Sequence, residues 1–205
     1  AGARDGAFTT LLVSAARVGA LIDDPRIAAV TLTGSEAAGR DVGARAGGAI
    51  KPCVLELGGS DPFIVLASAD VNAAAATAVR ARCINNGQSC IAAKRFIVHE
   101  AVYDAFTERF AAAMRALRLG DPLDEATDIG PLATTAMRRE VDDQVRRTVA
   151  AGARVVTGGT VPQGTGNYYP PTVLADVPRD SAAAREEVFG PVAPLFRVAS
   201  ADEAL

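Results

Sequence analysis

The chain has 205 residues, of which 49% are hydrophobic and 22% are charged, and its formal net charge is −3. This composition is ordinary for a globular protein with a sizeable core, and it lacks the clustered Lys and Arg of a nucleic-acid interface. The apolar runs are too short to span a membrane, and three cysteines do not make a disulfide framework. We therefore expect a cytoplasmic protein with neither nucleic acid nor membrane as a partner.

Segments of strand character alternate with segments of helical character along the chain. Strands are predicted where β-branched and apolar residues cluster, in residues 28–33, 53–57, 62–66, 95–98 and 154–157, with further strand-like pieces up to residue 197. Helices are predicted where alanine or a helical apolar spacing dominates, in residues 36–46, 70–82, 101–117 and 133–150. Residues 62–66 look buried, and Asp70 is placed to cap its helix. The alternation predicts an α/β fold with parallel sheets flanked by helices.

The first candidate for chemistry is Cys90, which follows the polar loop formed by residues 85–89. A loop that leaves a helix can present the thiol to a cleft and point backbone N–H groups at it, and such surroundings favour the thiolate. A thiolate attacks carbonyl carbons and forms a covalent intermediate. A single cysteine after a turn is more often a small core residue, so this feature alone decides nothing.

The second candidate is Glu56, which lies near the end of a predicted strand and precedes Gly58 and Gly59. In α/β folds, ligands bind at the carboxyl ends of parallel strands, where this carboxylate would lie. A partly buried Glu56 would have a raised pKa and could act as a general base. The plainer alternative is a solvated carboxylate at the end of a strand.

Two further segments could bind a nucleotide. Gly34 and Ser35 lie between a predicted strand and a predicted helix, where a helix N-terminus can hold a pyrophosphate, although a simple Ser N-cap is more common. Residues 186–191 contain two acids, Phe189 and a Gly-Pro turn. These could hold a sugar hydroxyl and pack on a flat ring, or they could form an ordinary charged loop. Neither segment has the GxGxxG spacing of a dinucleotide fingerprint.

Taken in this order, the motifs resemble those of the aldehyde dehydrogenase superfamily. The glutamate motif of that family is similar to residues 55–59 (LELGG), its cysteine motif to residues 87–90 (GQSC), and its cofactor motif to residues 187–191 (EVFGP). The first glutamate precedes the cysteine by 34 residues, and the second follows it by 97, and both spacings match the family pattern.

The resemblance implies an aldehyde dehydrogenase-like fold. Residues 1–58 would be the C-terminal part of a truncated NAD(P)-binding domain, and residues 59–205 would be most of the catalytic domain, incomplete at its C-terminus. Cys90 is implied as the nucleophile and Glu56 as the base that hydrolyses a thioester, with NAD or NADP as cofactor and no metal. The residues implied to contact the cofactor are Gly34, Ser35, Leu57, Glu187 and Phe189. A small aldehyde is the implied substrate, and the family suggests a homo-oligomer for the full-length protein.

The choice of aldehyde is indicated by a narrower resemblance. Residues 57–63, 87–96 and 167–174 are similar to bacterial succinate-semialdehyde dehydrogenases, which implies succinate semialdehyde as the substrate. Some of those enzymes carry an arginine six residues before the nucleophile to bind the substrate carboxylate, and this chain has Ile84 there. Arg82 is nearby but could point elsewhere. A different small-aldehyde specificity therefore stays open.

Two other classes of function remain as alternatives. The chain begins without Met, and residues 199–205 look like the start of a helix, so we expect a piece of a longer protein that is inactive when isolated. A cysteine hydrolase or acyltransferase would need a base near Cys90. His99, the single histidine, is expected on a strand that leads away from the cysteine.

Overall fold

The computed structural model describes residue 2 and residues 4–205 of the chain. The chain divides into two compact units, Ala1–Gly58 and Gly59–Leu205. Each unit has a buried core of its own, and each positions a separate set of the residues singled out by the sequence. Among the described residues, no helix combines the length and the apolarity needed to cross a bilayer.

The first unit contains two parallel strands joined through a helix. Its elements are α1 (Ala15–Asp23), β1 (Val30–Gly34), α2 (Glu36–Gly48) and β2 (Cys53–Leu57). A parallel pair of strands needs such a crossover, because a tight turn can only join antiparallel strands. Within the described part of this unit, the buried apolar core is small and consists of Ile22, Val42 and Ala46.

The helix α2 packs closely on β2 because position 39 is glycine. A Cβ atom at Gly39 would lie only 2.6 Å from a methyl carbon of Leu57. A side chain there would push the helix away from the sheet, so Gly39 sets the distance between α2 and β2. The helix begins after Ser35, whose Oγ accepts a hydrogen bond from the N–H of Ala38 at 3.3 Å.

The second unit is a five-stranded sheet with helices on both faces. Its strands are β3 (Asp61–Val65), β4 (Ala93–His99), β5 (Arg154–Thr157), β6 (Thr172–Ala175) and β7 (Val192–Val198). Its helices are α3 (Val71–Cys83), α4 (Glu100–Ala116), α5 (Thr135–Ala150), α6 (Ala182–Arg185) and α7 (Ala201–Ala204). The strand order is β3-β4-β7-β6-β5, and every neighbouring pair is parallel except the pair of β5 and β6.

Alternate residues of the strands fill two cores on opposite faces of this sheet. Phe96 and Leu195 join α3 and α4 in one core, where the ring centroids of Phe96 and Phe110 lie 5.0 Å apart. Ile97 and Phe196 turn to the other face and pack with α5 and α6. Because side chains alternate along a strand, a sheet covered on both faces buries both sets.

The predicted α/β fold with parallel sheets and flanking helices is confirmed. The expectation that residues 62–66 are buried is wrong for most of them. Within the described chain, β3 is an edge strand that pairs only with β4, and Ile64 and Leu66 keep 39% and 45% of their surface exposed. The short helices α1 and α6 are not among the predicted elements, and β5 is the antiparallel exception in the sheet.

Candidate active site

The cysteine loop, residues 84–92, connects α3 to β4 and presents Cys90 as an exposed residue. It starts with a 3-10 turn in which Asn85, Asn86 and Gly87 have φ angles of 49°, 57° and 77°. Three consecutive left-handed residues are costly for most side chains, and Asn and Gly tolerate this conformation best. Strain of this kind persists only where surrounding contacts hold the backbone, and it concentrates at functional sites.

One set of contacts comes from the segment between α4 and α5. Asn86 Oδ1 accepts a hydrogen bond from the N–H of Gly130 at 2.9 Å, and Asn86 Nδ2 donates to the carbonyl of Pro131 at 3.3 Å. Gln88 Oε1 accepts from the N–H of Ala133 at 2.8 Å. These partners are 44 or 45 residues away in sequence. The two polar side chains therefore brace the loop against the rest of its unit.

A second set of contacts lies at Gly87. A Cβ atom at this position would come within 2.3 Å of the carbonyl oxygen of Gly190, so only glycine fits. The Gly87 carbonyl accepts a hydrogen bond of 2.7 Å from Nη2 of Arg82, which is fully buried. Burial lowers the pKa of Arg82 to about 10. Arg82 thus supports the loop from inside the unit and is not available to bind a substrate carboxylate.

A third set of contacts is made by Lys94, the second residue of β4. Its Nζ donates to the carbonyls of Ser89 at 3.0 Å, Cys90 at 2.9 Å and Ala92 at 3.3 Å. The same Nζ forms an ion pair of 3.1 Å with Oε1 of Glu187. The Lys94 side chain is 1% exposed, whereas the Glu187 side chain is 26% exposed. One buried ammonium therefore joins the backbone at Cys90 to a carboxylate that solvent can reach.

Glu187 belongs to a short segment between α6 and β7 that is fixed by α5. Gln144 Nε2 donates to the Glu187 carbonyl at 3.1 Å, and Arg147 pairs with Glu186 at 2.7 Å. The hydrogen bonds from Arg147 lower the pKa of Glu186. Phe189, which follows in the same segment, is half-buried. The predicted residues Cys90, Glu187 and Phe189 are thus all carried by the cysteine loop and the segment packed against it.

In the first unit, the parallel register brings the other predicted residues to one edge of the sheet. Gly34 pairs with Leu57, and Thr33 pairs with Glu56, at the carboxyl ends of β1 and β2. Ser35 follows directly as the N-cap of α2. This is the edge at which α/β proteins bind ligands.

Glu56 is exposed in its unit, so the partly buried setting considered for it from the sequence is not observed there. Among the described residues, β2 pairs only with β1, and its residues Val54 and Leu55 are also exposed, by 58% and 37%. Leu57 is half-buried and packs its side chain on α2 at Gly39. The side chain of Leu57 therefore serves the packing of the first unit.

Two other residues of the second unit with reactive side chains, Cys83 and His99, do not belong to the cysteine loop. Cys83 is half-buried with its Sγ 3.6 Å from Sδ of Met114, and burial raises the pKa of its thiol to about 11. His99 lies at the far end of β4, which is about 20 Å long, and its Nδ1 accepts a hydrogen bond from the N–H of Ala101 at 3.1 Å. His99 caps α4, so it does not form a catalytic dyad with Cys90.

Lys94 is absent from the residues that the sequence predicts. A Lys-Arg pair at the start of a strand is typical of a solvated surface, yet Lys94 shares its face of β4 with Phe96 and Val98, which are both fully buried. The two-residue repeat of the strand is the signal that could have identified it. The partner Glu187 lies 93 residues further along and provides no local signal.

The fold and the sequence are those of a known class of protein. The sequence profile of the aldehyde dehydrogenase family matches residues 1–205, so the chain belongs to this family. The resemblance inferred from the motifs is confirmed by this match.

Within this family, the chain is similar to proteins that are named succinate-semialdehyde dehydrogenases. The chain is 60% identical, over 204 residues, to a succinate-semialdehyde dehydrogenase of Mycobacterium bovis that is named for NADP(+), covering 100% of this chain and 45% of the relative. The solved succinic semialdehyde dehydrogenase from Streptococcus pyogenes, in complex with NADP+, is 36% identical with a TM-score of 0.94. That comparison covers 98% of this chain and 44% of the solved chain.

A second solved structure, the succinate-semialdehyde dehydrogenase from Burkholderia pseudomallei, is 39% identical with a TM-score of 0.90. It is matched over 94% of this chain and 40% of its own length. The chain thus spans less than half the length of these relatives.

Proposed function

We propose that this chain supplies the nucleophile and the general base of an enzyme that oxidises succinate semialdehyde to succinate with NADP. The observation that carries the proposal is the exposed Cys90 on a strained, braced loop, in a member of the aldehyde dehydrogenase family. The names of the relatives support succinate semialdehyde as the substrate and favour NADP over NAD.

In the proposed reaction, the Cys90 thiolate adds to the aldehyde carbon, which forms a C–S bond and places negative charge on the aldehyde oxygen. The backbone N–H of Cys90 donates a hydrogen bond to that oxygen. A nicotinamide cofactor, when bound, would supply the acceptor for the hydride that leaves this carbon. The carbon is thereby oxidised, and a thioester on Cys90 remains.

Glu56 completes the proposed reaction by accepting a proton from water. The resulting hydroxide adds to the thioester carbon, and the C–S bond breaks to return the thiolate of Cys90. One aldehyde, one water and one oxidised cofactor are converted into one acid, one reduced cofactor and a proton. The exposed position of Glu56 on β2 supports this role, because water reaches the carboxylate directly.

The proposed cofactor contacts follow from the donor chemistry at each position. The backbone at Gly34 and the hydroxyl of Ser35, at the N-terminus of α2, suit a pyrophosphate, which the helix dipole also favours. The reachable carboxylate of Glu187 suits the hydroxyls of a ribose. Half-buried Phe189 suits a contact with the nicotinamide. Leu57, at the end of β2, is a further proposed cofactor contact.

The proposal also gives each unit a role. Ala1–Gly58 is part of a coenzyme-binding domain, and Gly59–Leu205 is most of a catalytic domain. The protein would act as a homo-oligomer, as the family suggests. A reducing cytoplasm fits the free thiol that Cys90 needs.

One observation favours a second candidate, an aldehyde dehydrogenase for a different small aldehyde. Ile84, six residues before Cys90, is apolar and 50% exposed, and the nearby Arg82 is fully buried. Neither side chain can pair with the carboxylate of succinate semialdehyde. Comparing kcat/KM for succinate semialdehyde and for butyraldehyde distinguishes the candidates. A ratio near one would favour the second, and a ratio above about tenfold, or 1.4 kcal/mol of discrimination, would favour the first.

The main test uses the complete protein that contains this chain. We expect Cys90→Ser to lower kcat for NADPH formation by more than about a thousandfold, because a hydroxyl is a far weaker nucleophile than a thiolate. Cys83→Ala, which removes the other thiol of the second unit, is the matched control and should keep its turnover. Turnover of Cys90→Ser at the rate of the parent protein would refute the proposal.

Glu56→Gln tests the second half of the reaction. This variant should release one equivalent of NADPH and then stop, since the thioester on Cys90 is no longer hydrolysed. Mass spectrometry of the tryptic peptide that contains Cys90 should detect the trapped acyl group. Steady turnover without a trapped acyl group would remove Glu56 from the mechanism.

A further inference from the structure

We propose that Lys94 is a positioning residue that fastens the cysteine loop to the Glu187 carboxylate and so couples cofactor binding to the placement of Cys90. This inference rests on the proposed function and deepens it. In this role Lys94 contacts neither the Cys90 thiol nor the cofactor. It acts through the backbone carbonyls of the cysteine loop on one side of its ammonium group and through the Glu187 carboxylate on the other.

The first support is the arrangement of oxygens around Lys94 Nζ. Four oxygens lie within 3.3 Å, namely the carbonyls of Ser89, Cys90 and Ala92 and the carboxylate of Glu187. An ammonium has three N–H donors, so these four oxygens provide an acceptor for every donor. Two of the carbonyls belong to the nucleophile and to the residue before it. A movement of Nζ would therefore shift the backbone that carries the thiol.

The second support is the choice of lysine over arginine. The sequence contains 19 arginines and only two lysines, Lys51 and Lys94. A guanidinium presents its donors in one plane, whereas an ammonium can be surrounded by oxygens from several sides. The four oxygens around Lys94 Nζ suit an ammonium group, which indicates that this position requires lysine rather than arginine.

The third support is the charge balance of the pair. A fully buried ammonium is costly unless a carboxylate compensates it, and here Glu187 is the compensating charge. Because Glu187 keeps a quarter of its side chain exposed, it can accept hydrogen bonds from a ribose while Oε1 stays on Lys94. Ribose binding and the carbonyls at Cys90 are then connected through one side chain.

The test compares Lys94→Gln with the parent in the complete protein. The amide can still donate to the carbonyls, but the ion pair with Glu187 is lost. We expect the Kd for NADP+, measured by calorimetry, to rise about fivefold to twentyfold. In the parent, saturating NADP+ should change the rate of Cys90 alkylation by iodoacetamide at least threefold, and in Lys94→Gln this change should fall below 1.5-fold.

A double-mutant cycle separates this role from a merely structural one. In a Glu187→Gln background, Lys94→Gln should raise the Kd for NADP+ by less than about twofold, because the pair is already broken. A fivefold to twentyfold effect in both backgrounds would show that Lys94 acts without Glu187 and would overturn the inference.

Lys51→Gln is the matched control, since Lys51 Nζ also donates to backbone carbonyls, those of Ile22 and Asp24 at 2.5 and 2.7 Å. It should leave the cofactor-dependent change in Cys90 alkylation intact. If Lys94→Gln fails to fold, Glu187→Gln measured without cofactor replaces it. The inference expects the alkylation rate of Cys90 to change at least threefold in that variant, and an unchanged rate would overturn it.

Failure of the inference and failure of the proposed function give different results. Aldehyde oxidation by the parent, with Lys94→Gln indistinguishable from it, would overturn the inference alone. Lys94-dependent coupling between NADP+ and Cys90 in a parent that oxidises no aldehyde would support the inference and overturn the proposed function. A parent that does not bind NADP+ would overturn both.

Discussion

Cys83 and Cys90 are seven residues apart in sequence, and their surroundings differ sharply. Cys90 is exposed on its loop, whereas Cys83 is half-buried and its pKa is raised by burial to about 11. At about pH 8, we expect iodoacetamide to alkylate Cys90 and to leave Cys83 unmodified, because the thiolate is the reactive form. Peptide mass mapping after timed labelling measures both sites.

The pH dependence of Cys83 provides the control for this prediction. Its pKa in the folded state lies above the reference value of 9.0, so its contribution to stability is complete below about pH 9 and is lost as the pH rises toward 11. Labelling of Cys83 should therefore begin only near pH 11 or in denaturant. Equal labelling of the two thiols at pH 8 would contradict the assigned burial.

Gly87 is the residue of the cysteine loop that is least able to accept a side chain. Gly87→Ala should lower the free energy of unfolding by about 2–4 kcal/mol, since it adds left-handed strain and a collision with the Gly190 carbonyl. Urea unfolding of the purified variant measures the loss.

The control for Gly87→Ala is Gly164→Ala. Gly164 also has a positive φ, of 113°, but no heavy atom lies within 4 Å of a Cβ atom placed there. Gly164→Ala should lower the free energy of unfolding by about 1 kcal/mol, which is the effect of backbone conformation alone. Equal losses in the two variants would mean that the contact with Gly190 is unimportant.

The sequence predicts which residues form the candidate site more readily than it predicts their backbone conformations and contacts. The motif around Cys90 predicts a polar loop, but its three consecutive left-handed residues lie against distant segments that contain Gly130 and Gly190. For the same reason Lys94 escapes prediction, since its partner Glu187 is far away in sequence. Local patterns carry no information about such partners.

At the scale of helices and strands, elements with local signals were predicted and elements defined by packing were not. Asp70 caps α3 as expected, and its Oδ1 accepts hydrogen bonds from the N–H groups of Asn72 and Ala73. The strands β2 and β5 begin and end where their sequences predict. The four-residue helix α6 and the strand order depend on tertiary contacts, because so short a helix is not stable alone.

Arg147 connects α5 to the segment that carries Glu187, through a pair with Glu186. Both side chains are nearly half exposed, at 47% and 42%, so solvent screening limits the value of the pair. We expect Glu186→Gln to lower the free energy of unfolding by about 0.5–1 kcal/mol at neutral pH. Denaturant unfolding at several pH values is the measurement.

The sign of the pH effect follows from the lowered pKa of Glu186. Its contribution to stability is present above the reference pKa of 4.5 and is lost as the pH falls through the lower folded-state pKa. The parent and Glu186→Gln should therefore converge in acid. Glu108→Gln, which changes an exposed acid on α4, is the control and should show a smaller difference at neutral pH. A difference between Glu186→Gln and the parent that grows in acid would contradict the assignment.

At the scale of the whole molecule, the chain holds two compact units and spans 45% of the length of its Mycobacterium bovis relative. We expect the 205-residue chain alone to form no NADPH from succinate semialdehyde, because its relatives use more than twice this length. Its Cys90 should still react with iodoacetamide, since the loop is braced within its own unit. Steady NADPH formation by the chain alone would refute this expectation.

The family and the α/β architecture were both predictable at this scale, since the motifs and their spacing extend over most of the chain. The exposed edge strand β3 was not. Its apolar residues Ile64 and Leu66 resemble those of a buried strand, and only the order of strands places β3 at the edge. Composition reports how apolar a strand is, whereas its neighbours decide how much of it is covered.

The left-handed conformation of Asn85, Asn86 and Gly87 bears on how the protein is made. On the ribosome, a nascent polypeptide that has just passed Cys90 still lacks Gly130, which donates a hydrogen bond to Asn86, and Gly190, whose backbone lies against Gly87. About a hundred further residues must emerge before the last of these contacts can form, which takes roughly 5–20 seconds at ordinary rates of translation. The cysteine loop therefore reaches its folded conformation only after Gly190 has emerged, so a product terminated before that residue would carry Cys90 on a loop without these contacts.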